Sequence, residues 1–537
     1  MKIPYNQVHA NGGIIFAARS GQIQTFSAQD GKLISTWKHP DVEKVAEAVK
    51  NNAEAEKEPQ EEDQEEAQDE DQPPAKRQKT TGAEDVSASK PTEGEPVQED
   101  AASAKGGRNK RKKGKSAHQH AKSGRTVSKV PDRPIVTHLT STADGKHLLA
   151  VTGHDKTIWV FEHDGAGHLS NLSHRAMPKR PSAVAIGPDS QILCADKFGD
   201  VYSLPLIPDG TPIAPTLRPA PKPLTQPAAN ELTVHSKRNL VALKAQQKQL
   251  EKARLEKGDA ESKPDVPDFE LTLQLGHVSM LTALVLGERE GRRYIITGDR
   301  DEHIRVSRYM PQAHIIERFC MGHRDFVGAL VIPPTRGDVL ISGGGDTDLF
   351  LWNWLSGSLL SKTGVLSLAQ EISPETSKVA VSNLYSLAYP AEAGNLTYIL
   401  AICEDIKAIF SWQLTDNNAL NHPGVIQLPG NPLALSIISE DGSAPKILAA
   451  IDPGSETPAK NLNIFSLTTS DGRLAVDTTS HVEEDAIETG DLEVTESEVR
   501  SLLYGMEHLR KQKGGEDEGE GDGEGDVETT ETEASGQ

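Results

Sequence analysis

Two segments of this 537-residue chain repeat one design, and the repeat limits what the chain can fold into. Ile295-Ile296-Thr297-Gly298-Asp299-Arg300-Asp301-Glu302-His303-Ile304-Arg305-Val306-Ser307 reads as a strand, a tight Gly/Asp turn and a second strand. Leu340-Ile341-Ser342-Gly343-Gly344-Gly345-Asp346-Thr347-Asp348-Leu349-Phe350-Leu351-Trp352 does the same. A Gly-His pair precedes each segment, Gly276-His277 and Gly322-His323, so the units stand about 46 residues apart. That spacing is close to the ~40–45-residue period of a β-propeller blade.

Weaker copies lie on both sides. Ile14-Ile15-Phe16-Ala17-Ala18 followed by Gln22-Ile23-Gln24-Thr25-Phe26 opens the series. Leu148-Leu149-Ala150-Val151 with Thr157-Ile158-Trp159-Val160-Phe161 continues it, and a unit over 180–206 turns at Gly199. Two more follow at 381–414 and 432–467. Short apolar runs bounded by Gly/Asp turns favour strands over helices. The count predicts an all-β fold, a seven-bladed propeller of the WD-repeat kind. An Asp in such a turn accepts backbone N–H bonds, so the pairs His277 with Asp301 and His323 with Asp346 are expected to hold turns and not to do chemistry.

The charge is segregated. The net charge of −22 hides acidic residues 41–72, a stretch over 105–129 with Lys and Arg but no acid, and an acidic tail after Gly515. Single-sign blocks repel themselves and stay solvated. The expected organisation is a first blade over 1–39 and a disordered acidic/basic insertion over 40–130. Blades two and three then span 131–206, followed by a Pro-rich, basic-helix insertion over 207–265. Blades four to seven span 266–470, a C-terminal helical segment 471–513, and a disordered acidic tail 514–537. Lys110-Arg111-Lys112-Lys113 fits a nuclear import signal, which predicts a nuclear location. Three widely spaced cysteines, Cys194, Cys320 and Cys403, argue against a disulfide framework. No apolar run approaches the ~20 residues of a membrane span.

Motifs of catalysis are missing from the sequence. Gly343-Gly344-Gly345-Asp346 precedes a strand, whereas a phosphate-binding glycine loop needs a helix N-terminus. The histidines fall without metal-ligand spacing. The expectation is a chain with no catalytic residue, no cofactor and no metal. Beside a partner-binding role stand two rivals, a generic nuclear propeller scaffold for ribosome assembly or chromatin and, in a different class, a propeller hydrolase.

Gly276-His277-Val278-Ser279-Met280-Leu281-Thr282, the Asp299-Arg300-Asp301-Glu302-His303-Ile304-Arg305-Val306-Ser307 run, Gly322-His323-Arg324-Asp325-Phe326-Val327 and the Trp352-Asn353-Trp354 continuation resemble the WD-repeat non-catalytic subunits of tRNA guanine-N7 methyltransferases, fungal members above all. The resemblance implies a scaffold that binds and stabilises a separate, S-adenosylmethionine-dependent catalytic subunit in a heterodimer, forming N7-methylguanine at position 46 of tRNA. The tRNA would be held through the complex. It further implies that Arg300, Glu302, His303 and Arg305 face that partner and that Asp301 holds the turn.

Overall fold

The structure is a computed structural model that describes residues 2–57, 132–208, 269–392, 394–439, 443–454, 460–482 and 494–511, together with Lys244. Among the described residues, twenty-eight strands form seven separate four-stranded antiparallel sheets. The blades cover residues 7–38, 136–176, 181–205 with Thr272–Gly276, 281–320, 327–364, 381–427 and 431–481. The first strand of each blade packs against the first strands of its neighbours and so lines the axis of the ring. The fourth strand lies at the rim, where Leu33–Lys38 is half-buried and Ser358–Gly364 and Arg473–His481 are largely exposed.

Burial explains the sequence pattern. The second and third strands are sandwiched between adjacent blades, so both of their faces are covered. Ile14–Arg19, His147–Thr152 and Lys446–Asp452 are buried almost throughout. Such strands read as continuous apolar runs and lose the alternation of a half-buried strand. Between the fifth and sixth blades the core contains Val339, Ile341, Leu351, Ile399, Phe410 and Trp412, all at or below 1 % exposure. Between the first and seventh it contains Val8, Ile15, Phe26, Leu448 and Leu462.

Several expected boundaries are corrected. The first insertion opens with a helix, α1 (Asp41–Lys57), so order continues past residue 40. The second insertion does not separate blades three and four. It falls inside blade three, whose rim strand Thr272–Gly276 returns to pair with Asp200–Pro205. A rim strand has one paired edge, and a long loop before it disturbs no packed face. Blade seven runs on to His481, so the segment expected to be helical from 471 begins with a strand. A short helix, α2 (Leu366–Ile372), links blades five and six and was not expected. The basic helix expected near 240–255, the basic run 110–113 and the acidic tail lie outside the described residues.

The C-terminal segment crosses one face of the ring. Helix α3 (Glu496–Leu503) starts with a capping box in which Thr495 and Glu498 satisfy each other's backbone N–H groups. Val499, Leu502 and Leu503 pack with Ile3 and Val494. The Tyr504 hydroxyl donates to Asp452 Oδ2 (2.6 Å) on blade seven. Glu404 of blade six then accepts the backbone N–H of Met506 (3.1 Å) and Glu507 (2.9 Å). Arg510 reaches Asp325, the Gly345 carbonyl and, at 3.0 Å, the Val379 carbonyl. The segment thereby runs from blade seven to blade four.

A docking groove on the fourth blade

Blades two and five each link a histidine, an aspartate, a hydroxyl and a tryptophan, and blade four keeps part of that set. In blade five His323 Nδ1 lies 2.8 Å from Asp346 Oδ2, its Nε2 lies 2.7 Å from Ser342 Oγ, and the Trp352 indole donates to that hydroxyl at 2.8 Å. In blade two His39 Nε2 lies 3.1 Å from Asp155 Oδ2, while the Thr152 hydroxyl donates to Asp155 and accepts from the Trp159 indole (3.1 Å), so the hydroxyl meets the aspartate where in blade five it meets the histidine. The sequence reading missed this copy because His39 follows Lys38 and not glycine; Trp159 behind Asp155 was the available signal. His39, His154 and Asp155 offer ligand atoms within 4.8 Å of one another, but Asp155 is already held by His39 and Thr152.

Blade four departs from the pattern. His277 pairs with Asp299 (Nδ1 to Oδ2, 3.1 Å) and with Thr297 Oγ1 (2.8 Å), not with Asp301 as expected. Asp299 also holds the turn, since its Oδ1 accepts the backbone N–H of Asp301 (2.9 Å) and His303 (3.0 Å). Asp299 lies at the strand end facing the histidine; Asp301 lies two residues on, where its carboxylate meets Lys511 Nζ at 3.1 Å. Burial raises the Asp299 carboxyl, but the His277 and His303 bonds outweigh it and hold the group below the usual carboxylate range. Asp346 is held down against burial in the same way by His323.

The tryptophan of the network has no counterpart here. Ser342 pairs across strands with Phe350, two residues before Trp352, and Thr297 pairs with Arg305, two residues before Ser307. A serine therefore stands where the indole would be. Arg305 folds into the space, donating from Nε to Ser307 Oγ (2.9 Å) and from Nη1 to the Gly276 carbonyl (2.8 Å). It is 7 % exposed, so the side chain is buried. Burial lowers its pKa, and among the described residues no carboxylate lies within ion-pair distance of it.

Arg305 forms the floor of a groove of about 500 Å³ between the links flanking blade four. Val278, Phe319 and Met321 form apolar walls and are exposed, Met321 at 58 %. Asp301 and His303 stand on the rim, His303 Nδ1 lying 3.5 Å from Asp299 Oδ1. Gly199 of blade three presses on the Gly276–Val278 link; a Cβ there would meet the His277 carbonyl at 2.5 Å, at a φ of +101° that disfavours other residues. Arg300 and Glu302 sit on the turn above the groove. Arg300 Nε donates to the Leu509 carbonyl (2.9 Å), and Glu302, at φ +76°, lies 3.5 Å from Lys511 Nζ. The structure thus gathers Arg300, Asp301, Glu302, His303 and Arg305 around one edge. Val278, Phe319 and Met321 escaped the sequence reading because an exposed apolar residue looks the same in sequence as a core one.

The fold and this edge define a WD-type propeller with an apolar groove built around one buried cation. The family of the tRNA methyltransferase TRM82 WD40 domain matches residues 15–467. A Sclerotinia sclerotiorum protein named tRNA (guanine-N(7)-)-methyltransferase non-catalytic subunit trm82 is 40% identical over 491 residues, covering 86% of this chain and 88% of that protein. An Aspergillus fumigatus protein of the same name is 40% identical over 410 residues, 71% of this chain and 80% of its own length. Among solved structures, the structure of U3-55K aligns at 13% identity with a TM-score of 0.45, covering 86% of this chain and 95% of that one. The chain belongs to the TRM82 family of non-catalytic tRNA (guanine-N7)-methyltransferase subunits.

Proposed function

We propose that this chain is the propeller half of a heterodimer and that it seats its catalytic methyltransferase partner in the groove over Arg305, so that the pair handles tRNA together. One observation carries the reading. A buried guanidinium without a carboxylate, floored in an apolar groove, is costly in isolation and becomes favourable when an acidic side chain completes it. The surrounding Val278, Phe319 and Met321 give the apolar contact that excludes water from such a pair. The names of the relatives support the choice of partner. The chain's own contribution is binding and positioning; the methyl transfer belongs to the partner.

Met321→Asp and Arg305→Met test the reading by co-purification with the catalytic subunit and by quantifying N7-methylguanosine in tRNA. Removing one half of a desolvated charge pair costs about 2–5 kcal/mol of binding. Both variants are expected to lose complex and modification together while keeping the wild-type circular dichroism. Undiminished association by both places the interface elsewhere. The nuclear location is part of the same proposal and rests on Lys110-Arg111-Lys112-Lys113. Replacing these four residues with alanine should leave a fluorescent fusion cytoplasmic; an unchanged distribution removes them from the account.

A further inference from the structure

We propose a second binding surface, for the phosphodiester backbone of RNA, on the neighbouring turns of blade three. The inference rests on the tRNA reading above and names which side chains of this subunit meet the RNA. Its elements are Lys179 and Arg180 in the link into blade three, and Lys197 and Phe198 in the turn between the strands Gln191–Asp196 and Asp200–Pro205. The Lys197 backbone N–H donates to the Arg180 carbonyl (3.1 Å), which fixes the two cations side by side. Partial burial and the nearby Arg180 charge both push the Lys197 ammonium down from its ordinary value. Among the described residues, no carboxylate lies within ion-pair distance of Lys179, Arg180 or Lys197. Asp196, the acid closest in sequence, is buried and turns its Oδ1 to the N–H groups of Phe198 (2.8 Å) and Asp200 (3.0 Å), so it shapes the turn instead of neutralising it. Like charges held together without a counterion call for an anion.

Arg180 and Lys197 stand at a cavity of about 620 Å³ between blades two to four and the C-terminal segment. Its wall also carries Ser182, whose Oγ is buried with no hydrogen-bond partner, and His154, whose Nδ1 lies 3.6 Å from Asp155 Oδ1 and whose Nε2 lies 3.4 Å from Asp41 Oδ2. The His154 side chain is only 9% exposed. Arg133 and Asp132 line the same cavity, so a phosphate oxygen entering here meets three cations, Arg133, Arg180 and Lys197, against one carboxylate on the wall among the described residues. Beside it, the Phe198 ring is 59 % exposed, and the Lys179 ammonium lies 4.2 Å from its centroid. An exposed aromatic among cations is the arrangement that stacks a base while holding its phosphate. This aromatic also separates RNA from an acidic protein as occupant. The turn abuts the Gly276–Val278 link through Gly199, so the surface adjoins the groove proposed for the catalytic subunit. An RNA bound across both would contact the two subunits at once.

The test uses the full-length protein in complex with its catalytic subunit and measures tRNA affinity by fluorescence anisotropy over a salt series. In Arg180→Ala/Lys197→Ala the dependence of log K on log salt should flatten by roughly two units, one per lost phosphate contact, with affinity falling at least about tenfold at moderate salt. Phe198→Ala should weaken binding by about tenfold with little change in slope. Subunit affinity should be unchanged in both. A double variant that keeps the wild-type slope and affinity overturns this surface while leaving the heterodimer intact. Variants that lose the catalytic subunit but still bind tRNA reassign the surface to protein contact. A wild-type complex without salt-dependent tRNA binding removes the surface together with the functional reading beneath it.

Discussion

Single side chains decide how three of the blades are tied at their entry. The His323–Asp346–Ser342–Trp352 chain links a blade entry to the turn above its second strand. In Asp346→Ala the buried His323 ring loses an acceptor, at a cost of about 1–3 kcal/mol, which a lower midpoint in thermal or urea unfolding would register. Asp299 and Asp346 also set an acid limit. Both are depressed in the folded state, so their contribution is complete above the unfolded carboxyl value near 4 and is lost as pH falls through their lower folded values. Stability of the wild type should therefore fall below about pH 4, and Asp346→Asn should flatten that fall. A wild-type acid limb that the variant reproduces would remove the carboxylate from this role. At this scale, the pairing of His323 with Asp346 could be proposed from the Gly-His motif alone, but the choice of Asp299 over Asp301 could not. Two acids two residues apart differ only in which one the strand end turns toward the ring.

Among the elements, the C-terminal segment carries more contacts than its length suggests. Its last described residues pin the turn of blade four: Leu509 takes Arg300, and Lys511 takes Asp301 and Glu302. Arg510 anchors that end among Asp325, Glu507 and two backbone carbonyls. Arg510→Ala should release the end of the segment, visible as faster hydrogen exchange over 504–511 and earlier proteolysis there, with a loss of about 1–3 kcal/mol for the acceptors left unpaired. Protection equal to wild type would show that Glu404 and Tyr504 suffice as anchors. The amphipathic helix with Thr495 and Glu498 at its start was readable from sequence, since capping residues sit at fixed spacing. Its path across the ring was not, because the carbonyls and carboxylates it meets come from four different blades.

For the whole molecule, the ring closes without a shared sheet. Among the described residues no sheet joins strands from the two ends of the chain; the first blade is built from residues 7–38 and the last from 431–481. The two are held by side-chain packing, with Val8, Ile15 and Phe26 against Leu448, Ile464 and Ala434, and by the bond from the Ala10 N–H to Ser436 Oγ (2.9 Å). Leu448→Ala should cost about 2–5 kcal/mol and should raise exchange in the first and seventh blades before the others. Uniform exchange across all blades would mean that the ring opens only by global unfolding.

The sequence by itself determined the repeat and hence the architecture, because a buried middle strand needs an unbroken apolar run and a tight turn needs Gly or Asp wherever the strand sits. It also determined the family, since the motif run around blade four is written in consecutive residues. Only the tertiary structure decided that Arg305 lies beneath an apolar groove without a counterion, that Val278, Phe319 and Met321 wall it, and that Arg180, Lys197 and Phe198 form one surface. The physical reason is that burial, pairing and exposure depend on what comes from other blades, and no local pattern encodes which distant group fails to arrive.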